Sequence, residues 1–221
     1  MRLQFEHLWD VSPQQARDIQ LKLRDSVELS DQYGEIHHVA GVDVGFEANN
    51  TITRAAIAVL RFPSLELAEH AIARLPTTFP YIPGYLSFRE IPAVLAALAR
   101  IKQLPDILLC DGQGIAHPRR FGIACHLGVL TGLPAIGVAK SRLIGTHKLV
   151  PHEKGKSVPL VDQEEVIGAV LRTRQNVKPL YISPGHKVSL ASAVKLVMQC
   201  VTRYRLPETT RWAHRIASNV P

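Results

Sequence analysis

The sequence predicts an α/β protein in which a mixed β-sheet carries helices on its faces. Three observations support this prediction. Residues 38–75 contain three strand-like stretches in succession, the remainder of the chain alternates between helical and strand patterns, and some later stretches are short and continuously apolar, as in a buried sheet. The chain has 221 residues, of which 46% are hydrophobic. This is enough for one sizeable core, so we expect residues 1–221 to form a single domain.

The first half of the chain predicts a helix, a three-stranded meander and a second helix. Ser12-Pro13-Gln14-Gln15 combines an N-cap, a proline at the first helical position and a capping-box glutamine, so a helix should follow to about residue 29. Ser87-Phe88-Arg89-Glu90 has the pattern of a capping box and predicts a second helix to about residue 103. The strands expected between them are 38–46, 54–62 and 65–75.

The second half of the chain alternates between strand and helix. The expected strands are 106–110, 134–139, 166–172 and 179–183. The expected helices are 119–131, 189–205 and a short last helix that begins at Pro207. The polar stretch 147–157 is predicted to be a loop.

Composition narrows the class of protein. The formal net charge is +7, with 26 Lys and Arg against 19 Asp and Glu, which favours a polyanionic partner such as DNA or RNA. Three separated cysteines argue against a disulfide framework and a cysteine zinc site. No apolar run approaches the ~18–20 residues of a membrane span, and the polar N-terminus does not resemble a signal peptide. We therefore expect a cytoplasmic protein with no membrane partner.

Three acidic residues are candidates for a metal site. Asp43 shares a strand face with Gly41 and Gly45, which would leave space for an ion and a phosphate; the alternative is a solvated aspartate on an edge strand. Asp111 follows an apolar strand at its carboxyl end, where open α/β sheets bind ligands, although an Asp-Gly turn is the alternative. Glu90 fits the capping position of its helix, and it becomes a ligand only if that helix start faces the two aspartates. Together the three carboxylates would suit Mg²⁺ or Mn²⁺.

Several basic or polar residues could contact phosphate. Lys140 and Ser141 follow a predicted strand, and His117 with Arg119 precedes a predicted helix, where the helix start favours anions. The alternative in each case is a solvated surface residue. His214 is one of 10 histidines, and an isolated histidine is more often structural than a ligand.

The segment Phe79–Gly84 is predicted to be a stiff loop. Pro80 and Pro83 lack backbone donors and fix φ on either side of Tyr81 and Ile82.

The combination of these motifs resembles the endonuclease V family from about residue 12 to residue 217. The motifs that carry the resemblance are Gly41-Val42-Asp43-Val44, Pro80-Tyr81-Ile82-Pro83-Gly84, Leu86-Ser87-Phe88-Arg89-Glu90, Asp111-Gly112 with Gly114, His117-Pro118-Arg119, Ile136-Gly137-Val138-Ala139-Lys140 and Tyr204-Arg205-Leu206-Pro207-Glu208 with Thr210-Arg211.

The resemblance implies an RNase H-like fold and a metal-dependent nuclease that recognises deoxyinosine in DNA. It implies hydrolysis of the second phosphodiester bond 3′ to the lesion, which leaves a nick. The residues that it assigns are Asp43, Glu90, Asp111 and His214 as ligands of Mg²⁺ or Mn²⁺, Lys140 as a catalytic phosphate contact, Pro80, Tyr81, Ile82 and Pro83 as a strand-separating wedge, and Gly84, Leu86, Gly112 and Gly114 around the lesion pocket. Gln113 departs from the histidine or asparagine common in the family, which affects the detail of the pocket.

The expected partner is single- or double-stranded DNA containing deoxyinosine, with RNA as a further candidate, and the expected state is a monomer. One alternative is another RNase H-like metal-dependent nuclease that acts on inosine-containing RNA, an RNA–DNA hybrid or branched DNA. Another is a nuclease-like fold kept only as a nucleic-acid-binding module, which the presence of all three acids and Lys140 disfavours.

Overall fold

The fold is built on one mixed sheet that lies within residues 3–218, the part of the chain that the computed structural model describes. The eight strands in this part are β1 His38–Glu47, β2 Ile52–Arg61, β3 Leu67–Pro76, β4 Ile107–Cys110, β5 Ala135–Ala139, β6 Ser157–Asp162, β7 Glu165–Leu171 and β8 Leu180–His186. Their order across the sheet is β3-β2-β1-β4-β5-β8-β7-β6. The pairs β1–β4 and β4–β5 are parallel and the other neighbours are antiparallel, which confirms the predicted mixed sheet.

The five helices of the described residues cover both faces of this sheet. They are α1 Pro13–Arg24, α2 Leu86–Leu98, α3 Ile123–Thr131, α4 Leu190–Gln199 and α5 Glu208–Ala217. Residues of β1 divide between two cores: Val42 belongs to the cluster that includes Ile91 of α2 and Leu127 of α3, whereas Val39 belongs to the cluster that includes Val197 of α4. The predicted RNase H-like α/β arrangement is therefore confirmed. None of these described helices is both long and apolar enough to cross a membrane.

Helix ends account for most of the differences from the predicted elements. Helix α1 stops at Arg24, five residues before the predicted end, and α4 stops at Gln199. Helix α3 begins at Ile123, after a turn that occupies the predicted first residues 119–122. Strand β6 was not predicted, because it contains Pro159, which lacks a backbone donor. A proline is tolerated there because β6 lies at the edge of the sheet.

Gly41 and Gly45 allow a helix to pack closely against β1 and do not leave an open site for an ion. A Cβ atom on Gly41 would lie 2.0 Å from the backbone oxygen of Thr209, and one on Gly45 would lie 3.0 Å from that of Ala217. The backbone of α5 thus lies directly against this face of β1. The space that the sequence pattern predicted for an ion and a phosphate is occupied by this helix, which brings His214 towards Asp43.

Candidate active site

The sheet register brings Asp43 and Asp111 to the same level on neighbouring strands. Val42 of β1 is opposite Cys110 of β4 in parallel register, and each aspartate is the next residue along its strand. The backbone N–H of Asp111 donates to the Val42 carbonyl at 3.0 Å. Because β2 and β4 flank β1, Asp43 does not lie on an edge strand, and that alternative is excluded.

Glu90 approaches the two aspartates from α2, and the capping-box interpretation of this residue is wrong. Helix α2 begins at Leu86, its N-cap Tyr85 makes no side-chain capping bond, and Ser87 lies inside the helix. Glu90 is only 7% exposed. Its carboxylate therefore faces the protein interior instead of closing a helix end.

The pKa values of two of these acids are shifted by burial and by the charges of neighbouring acids. Burial raises the pKa of Asp43, and the charge of Asp111 raises it further. Burial also raises the pKa of Glu90 well above its ordinary value, with further contributions from Asp43 and Asp111. We refer to Asp43, Glu90 and Asp111 as the acidic centre. Its carboxylates repel one another in a partly desolvated place, which makes a cation favourable there.

Two side chains partly offset this negative charge. Nδ1 of His214 lies 2.7 Å from Oδ2 of Asp43, and the Lys140 ammonium pairs with Asp111. Arg205 donates to the carbonyls of Lys140 and Pro179, both at 2.8 Å, and so fixes the chain where β5 ends. The structure thus brings His214 and Lys140 to the acids, where the resemblance to endonuclease V places them.

The side chains of this centre are not yet arranged as a closed metal site. Across residues 3–218, no three His, Cys, Asp or Glu side chains are positioned as a metal-binding group. Lys140 instead supplies the positive charge beside Asp111.

A cavity of about 370 Å³ extends from Asp111 of this centre to the proline-rich loop. This volume is within the range of small-molecule sites, about 300–1,000 Å³. The predicted site residues that line it are Tyr81, Ile82, Pro83, Gly84, Leu86, Asp111, Gly112, His117, Lys140 and Ser141. The structure therefore joins the predicted wedge, most of the predicted pocket and part of the predicted catalytic set in one cavity.

Six other predicted site residues lie outside the cavity wall: Asp43, Glu90, Pro80, Gly114, Arg119 and His214. Pro80 is an exposed part of the loop, and Gly114 is buried against β8. A Cβ on Gly114 would lie 2.0 Å from the Pro184 oxygen, and its N–H donates to Ser183 Oγ at 2.8 Å. Gly114 therefore holds the loop after β4 against the sheet, behind the cavity.

The proline-rich loop is anchored at its base and exposed at its tip. Phe79 is 3% exposed and packs with Phe88, and Ile82 is partly buried against the same cluster. Tyr81 is 72% exposed. The loop thus presents one aromatic ring to solvent beside the cavity.

Three side chains hold the end of this loop by one carbonyl, that of Gly84. Gln20 Nε2, His117 Nε2 and Arg119 Nη2 lie 3.1, 2.9 and 2.6 Å from this oxygen. Gly84 has φ +83°, and a Cβ on it would lie 2.9 Å from Arg119 Nη2, so no other residue fits without strain. We call Gly84 with Gln20, His117 and Arg119 the Gly84 hub.

The hub holds His117 and Arg119, the two basic residues predicted to bind phosphate, through contacts within the protein. Burial lowers the pKa of His117 to about 4, with a further contribution from Arg119, so its ring is neutral at pH 7. Its Nε2 donates to Gly84, and its Nδ1 accepts the backbone N–H of Arg119 at 3.2 Å. The Arg119 guanidinium bonds Gln20 and stacks over Tyr85 at 4.2 Å. No helix starts here either, because α3 begins at Ile123. Ser141, in contrast, is exposed at the cavity rim.

Comparison with known proteins assigns the family. The sequence profile of endonuclease V matches residues 21–215. Endonuclease V of Rippkaea orientalis is 64% identical over 208 residues, which cover 94% of this chain and 91% of the relative. This chain belongs to the endonuclease V family. It is therefore an endonuclease that hydrolyses phosphodiester bonds of DNA, in a family of metal-dependent nucleases.

Solved endonuclease V structures share the fold. The Streptomyces avermitilis protein superposes with a TM-score of 0.91 at 41% identity, covering 96% of this chain and 93% of its own. Endonuclease V of Ciona intestinalis was solved with a 23mer DNA containing an inosine followed by a ribo-adenosine. It superposes with a TM-score of 0.83 at 30% identity, covering 95% and 98% of the two chains.

Sequence reasoning missed several residues of this endonuclease V site. Gln20, Ser87, Phe121, Ile123 and Leu143 also line the cavity. Gln20 carried a usable signal, because it shares the buried face of α1 with Ala16 and Leu23 and is the polar member of that face. Arg205 stood in the quoted C-terminal motif, but nothing local connects it to Lys140.

Gln113, where this chain departs from the common endonuclease V pattern, has a defined orientation. Its Nε2 donates to the Ser141 carbonyl at 3.0 Å, so Oε1 points elsewhere. Within residues 3–218, that oxygen is buried without a hydrogen-bond partner in the cavity wall. The glutamine side chain, which is longer than the asparagine common in the family, therefore reaches the backbone just after the end of β5, beside Lys140.

Proposed function

We propose that this endonuclease recognises deoxyinosine in DNA and hydrolyses the second phosphodiester bond 3′ to it, leaving a nick. The observation that carries the proposal is the single cavity bounded by the exposed Tyr81 at one end and by Asp111 and Lys140 at the other. An enzyme that inspects a base in a pocket must first turn it out of the stack. A cavity that joins a protruding aromatic ring to acids suits both steps. The inosine-containing DNA bound by the Ciona relative supports the choice of base.

The cavity wall offers donors that suit the oxygen of hypoxanthine. Leu86 and Ser87 lie in the first turn of α2, where the N-cap Tyr85 supplies no side-chain acceptor. The first backbone N–H groups of a helix have no partner within the helix, and the helix dipole makes this end positive. The carbonyl oxygen O6 of hypoxanthine can accept from such groups, whereas the amino group of adenine cannot.

The acidic centre fits Mg²⁺, with Mn²⁺ as a substitute. Asp43, Glu90 and Asp111 supply the carboxylate oxygens that hard cations prefer, and His214 would complete the set. Burial and neighbouring acids raise the pKa values of Asp43 and Glu90, so their ionised forms are disfavoured, and a bound cation would stabilise them. Since the side chains are not yet arranged as a closed site, we expect them to converge when a cation binds. When bound, Mg²⁺ would ready a water for attack and stabilise the leaving oxygen.

The protein's own groups would position the DNA around this centre. Lys140 donates to a phosphate oxygen beside the scissile bond, where negative charge develops, and Arg205 keeps its backbone fixed. Ser141 provides a further phosphate contact at the rim. Tyr81, held between Pro80 and Pro83, stacks in the opened duplex, and the hub keeps this loop in place before DNA arrives.

A cleavage assay tests this function directly. The substrates are a labelled duplex with one deoxyinosine, the unmodified duplex and a matching inosine-containing RNA, each with Mg²⁺ and with EDTA. We expect one product, cut at the second bond 3′ to the deoxyinosine, only with Mg²⁺. Equal cutting of the unmodified duplex would overturn lesion recognition, and preferential cutting of the RNA would favour the alternative substrate.

A further inference from the structure

A chain of hydrogen bonds runs from the N-terminal segment to the wall of the cavity. Nδ1 of His7 lies 2.7 Å from the Leu8 carbonyl oxygen, and Nε2 of His7 lies 2.8 Å from Nε2 of His126. Nδ1 of His126 lies 2.9 Å from the hydroxyl of Ser87. His126 is fully buried, and Ser87 is 2% exposed and lines the cavity. None of these groups belongs to the acidic centre or to the Gly84 hub.

The direction of every bond in this chain follows from its first acceptor. The carbonyl of Leu8 can only accept, so Nδ1 of His7 carries a proton, and Nε2 of a neutral His7 is an acceptor. Nε2 of His126 must therefore donate to it, which leaves Nδ1 of His126 as an acceptor. Ser87 then donates its only hydroxyl proton to His126. Its oxygen retains acceptor capacity alone.

The surroundings keep both rings neutral, as this direction requires. Burial lowers the pKa of His7 and lowers that of His126 well below the ordinary value. Aromatic rings enclose the pair: Trp9 lies 4.3 Å from His7 and 5.5 Å from His126 between ring centroids, and Phe88 lies 5.5 and 5.2 Å from them.

We propose that Ser87 is a specificity-determining residue whose hydroxyl oxygen accepts a hydrogen bond from the ring N–H of the turned-out base, and that His7 is a positioning residue that fixes this polarity. The proposal rests on the proposed function and deepens it. Deamination converts the N6 donor and N1 acceptor of adenine into the O6 acceptor and N1–H donor of hypoxanthine. An uncapped helix N–H beside an acceptor-only hydroxyl matches the second pattern and opposes the first.

A pair of substrates separates this contact from simple packing. Deoxynebularine, the purine without O6 and N1–H, replaces deoxyinosine in the same duplex, and Kd is measured for both in EDTA so that no cleavage occurs. For Ser87→Ala we expect the preference for deoxyinosine over deoxynebularine to fall about 5- to 10-fold, the value of one hydrogen bond to a neutral group. A purely structural serine would weaken both complexes by the same factor and leave the ratio unchanged, which would overturn the proposal.

Two variants of His7 test the direction of the hydrogen bonds while Ser87 stays in place. They remain informative if Ser87→Ala does not fold. In His7→Gln, the amide oxygen can still accept from His126, and the preference should stay within about twofold of wild type. In His7→Leu, His126 can shift its proton to Nδ1 and donate to Ser87, whose hydroxyl is then free to donate to N1 of deoxynebularine. We expect the preference to fall there by a similar factor as in Ser87→Ala. Equal preferences in His7→Gln and His7→Leu would overturn the role of His7.

The design distinguishes this proposal from the function on which it rests. If wild type does not prefer deoxyinosine DNA to unmodified DNA, the proposed function fails. If wild type has that preference but Ser87→Ala keeps the full deoxyinosine-to-deoxynebularine ratio, only the Ser87 contact fails. A lower ratio in Gln113→Met with an unchanged ratio in Ser87→Ala would assign the acceptor to Gln113 instead and overturn the proposal.

Discussion

The acidic centre and the Gly84 hub contact the same cavity, yet their polar groups are satisfied to different degrees. In the hub, one carbonyl receives three donors, and His117 and Arg119 are each bonded on a second side. In the acidic centre, burial and the charge of Asp111 raise the pKa of Asp43, burial and both aspartates raise that of Glu90, and His214 and Lys140 lie beside the aspartates. The hub is complete without a ligand, whereas the centre gains stability from one.

This difference suggests different roles: the hub positions the loop that contacts DNA, and the acidic centre takes part in cleavage. Because the hub already holds the proline-rich loop in place, little binding free energy is lost in ordering this loop when DNA binds. The carboxylates of the acidic centre repel one another, and this repulsion favours the binding of a cation. Changes in the centre should therefore affect catalysis most, and changes in the hub should affect folding and lesion binding.

The largest expected effect is the loss of one acid from the centre. Asp43→Asn and Asp111→Asn should each lower the single-turnover cleavage rate about a thousandfold, because a metal ligand contributes several kcal/mol of charge stabilisation. Binding of inosine DNA should persist, since removing negative charge lowers repulsion of phosphate. Asp162→Asn is the matched control, as Asp162 pairs with Arg120 at 2.9 Å outside the cavity wall and should leave the rate unchanged. A near-normal rate in either test variant would contradict the assigned centre.

The next effect concerns the hub. Gly84→Ala should lower the melting temperature by several degrees and weaken binding of duplex inosine DNA, because it adds backbone strain of about 1–3 kcal/mol and a clash with Arg119. Gly155→Ala is the control, since Gly155 has φ +88° and nothing within 4 Å of an added Cβ. The control should share the strain but retain lesion binding. Identical binding by the two variants would mean that the hub does not position the loop.

The tip of the loop should matter mainly when a duplex has to be opened. Tyr81→Ala should weaken binding of duplex inosine DNA about tenfold, because a stacked ring contributes about 1–3 kcal/mol per base. The defect on single-stranded inosine DNA should be smaller, since no stack must be opened. Leu149→Ala removes another highly exposed apolar side chain, 87% exposed and outside the cavity wall, and should change neither affinity. Equal defects of Tyr81→Ala on both substrates would remove the wedge assignment.

The smallest effect is on stability, and it depends on pH. Burial and then the charges of Asp43 and Asp111 raise the pKa of Glu90 in the folded protein above its ordinary value of 4.5. Folding is therefore penalised as pH rises from about 4.5 through the raised pKa, and the penalty is absent below 4.5. In EDTA, the melting temperature of Glu90→Gln should be a few degrees above that of wild type at pH 8 and equal to it at pH 4.

Addition of Mg²⁺ should raise the melting temperature of wild type more than that of Glu90→Gln. A variant that is less stable than wild type at pH 8 would restore a structural role for Glu90.

Local sequence patterns predicted most of the strands and singled out Asp43 and Asp111 as candidate site residues. The period of two in β1 and the apolar run before Asp111 depend on neighbours within a few residues, and the structure contains both strands. Helix ends were less predictable. Ser87 and Glu90 matched a capping box, but the N-cap is Tyr85, two residues earlier, and tertiary packing places Ser87 against His126 and Glu90 inside.

The sequence by itself determined that this chain forms a mixed α/β sheet, that Asp43 lies on one of its strands and Asp111 directly follows another, and that prolines stiffen the loop around Tyr81. These properties follow from periodicity and from the fixed φ of proline, which act over a few residues. The tertiary structure alone decided that α5 fills the face beside Gly41, that His117 is a neutral support, and that His7 reaches Ser87 through His126. The hydrogen bonds among these contacts join groups 33 to 119 residues apart, and their energies depend on burial and distance that no local pattern contains.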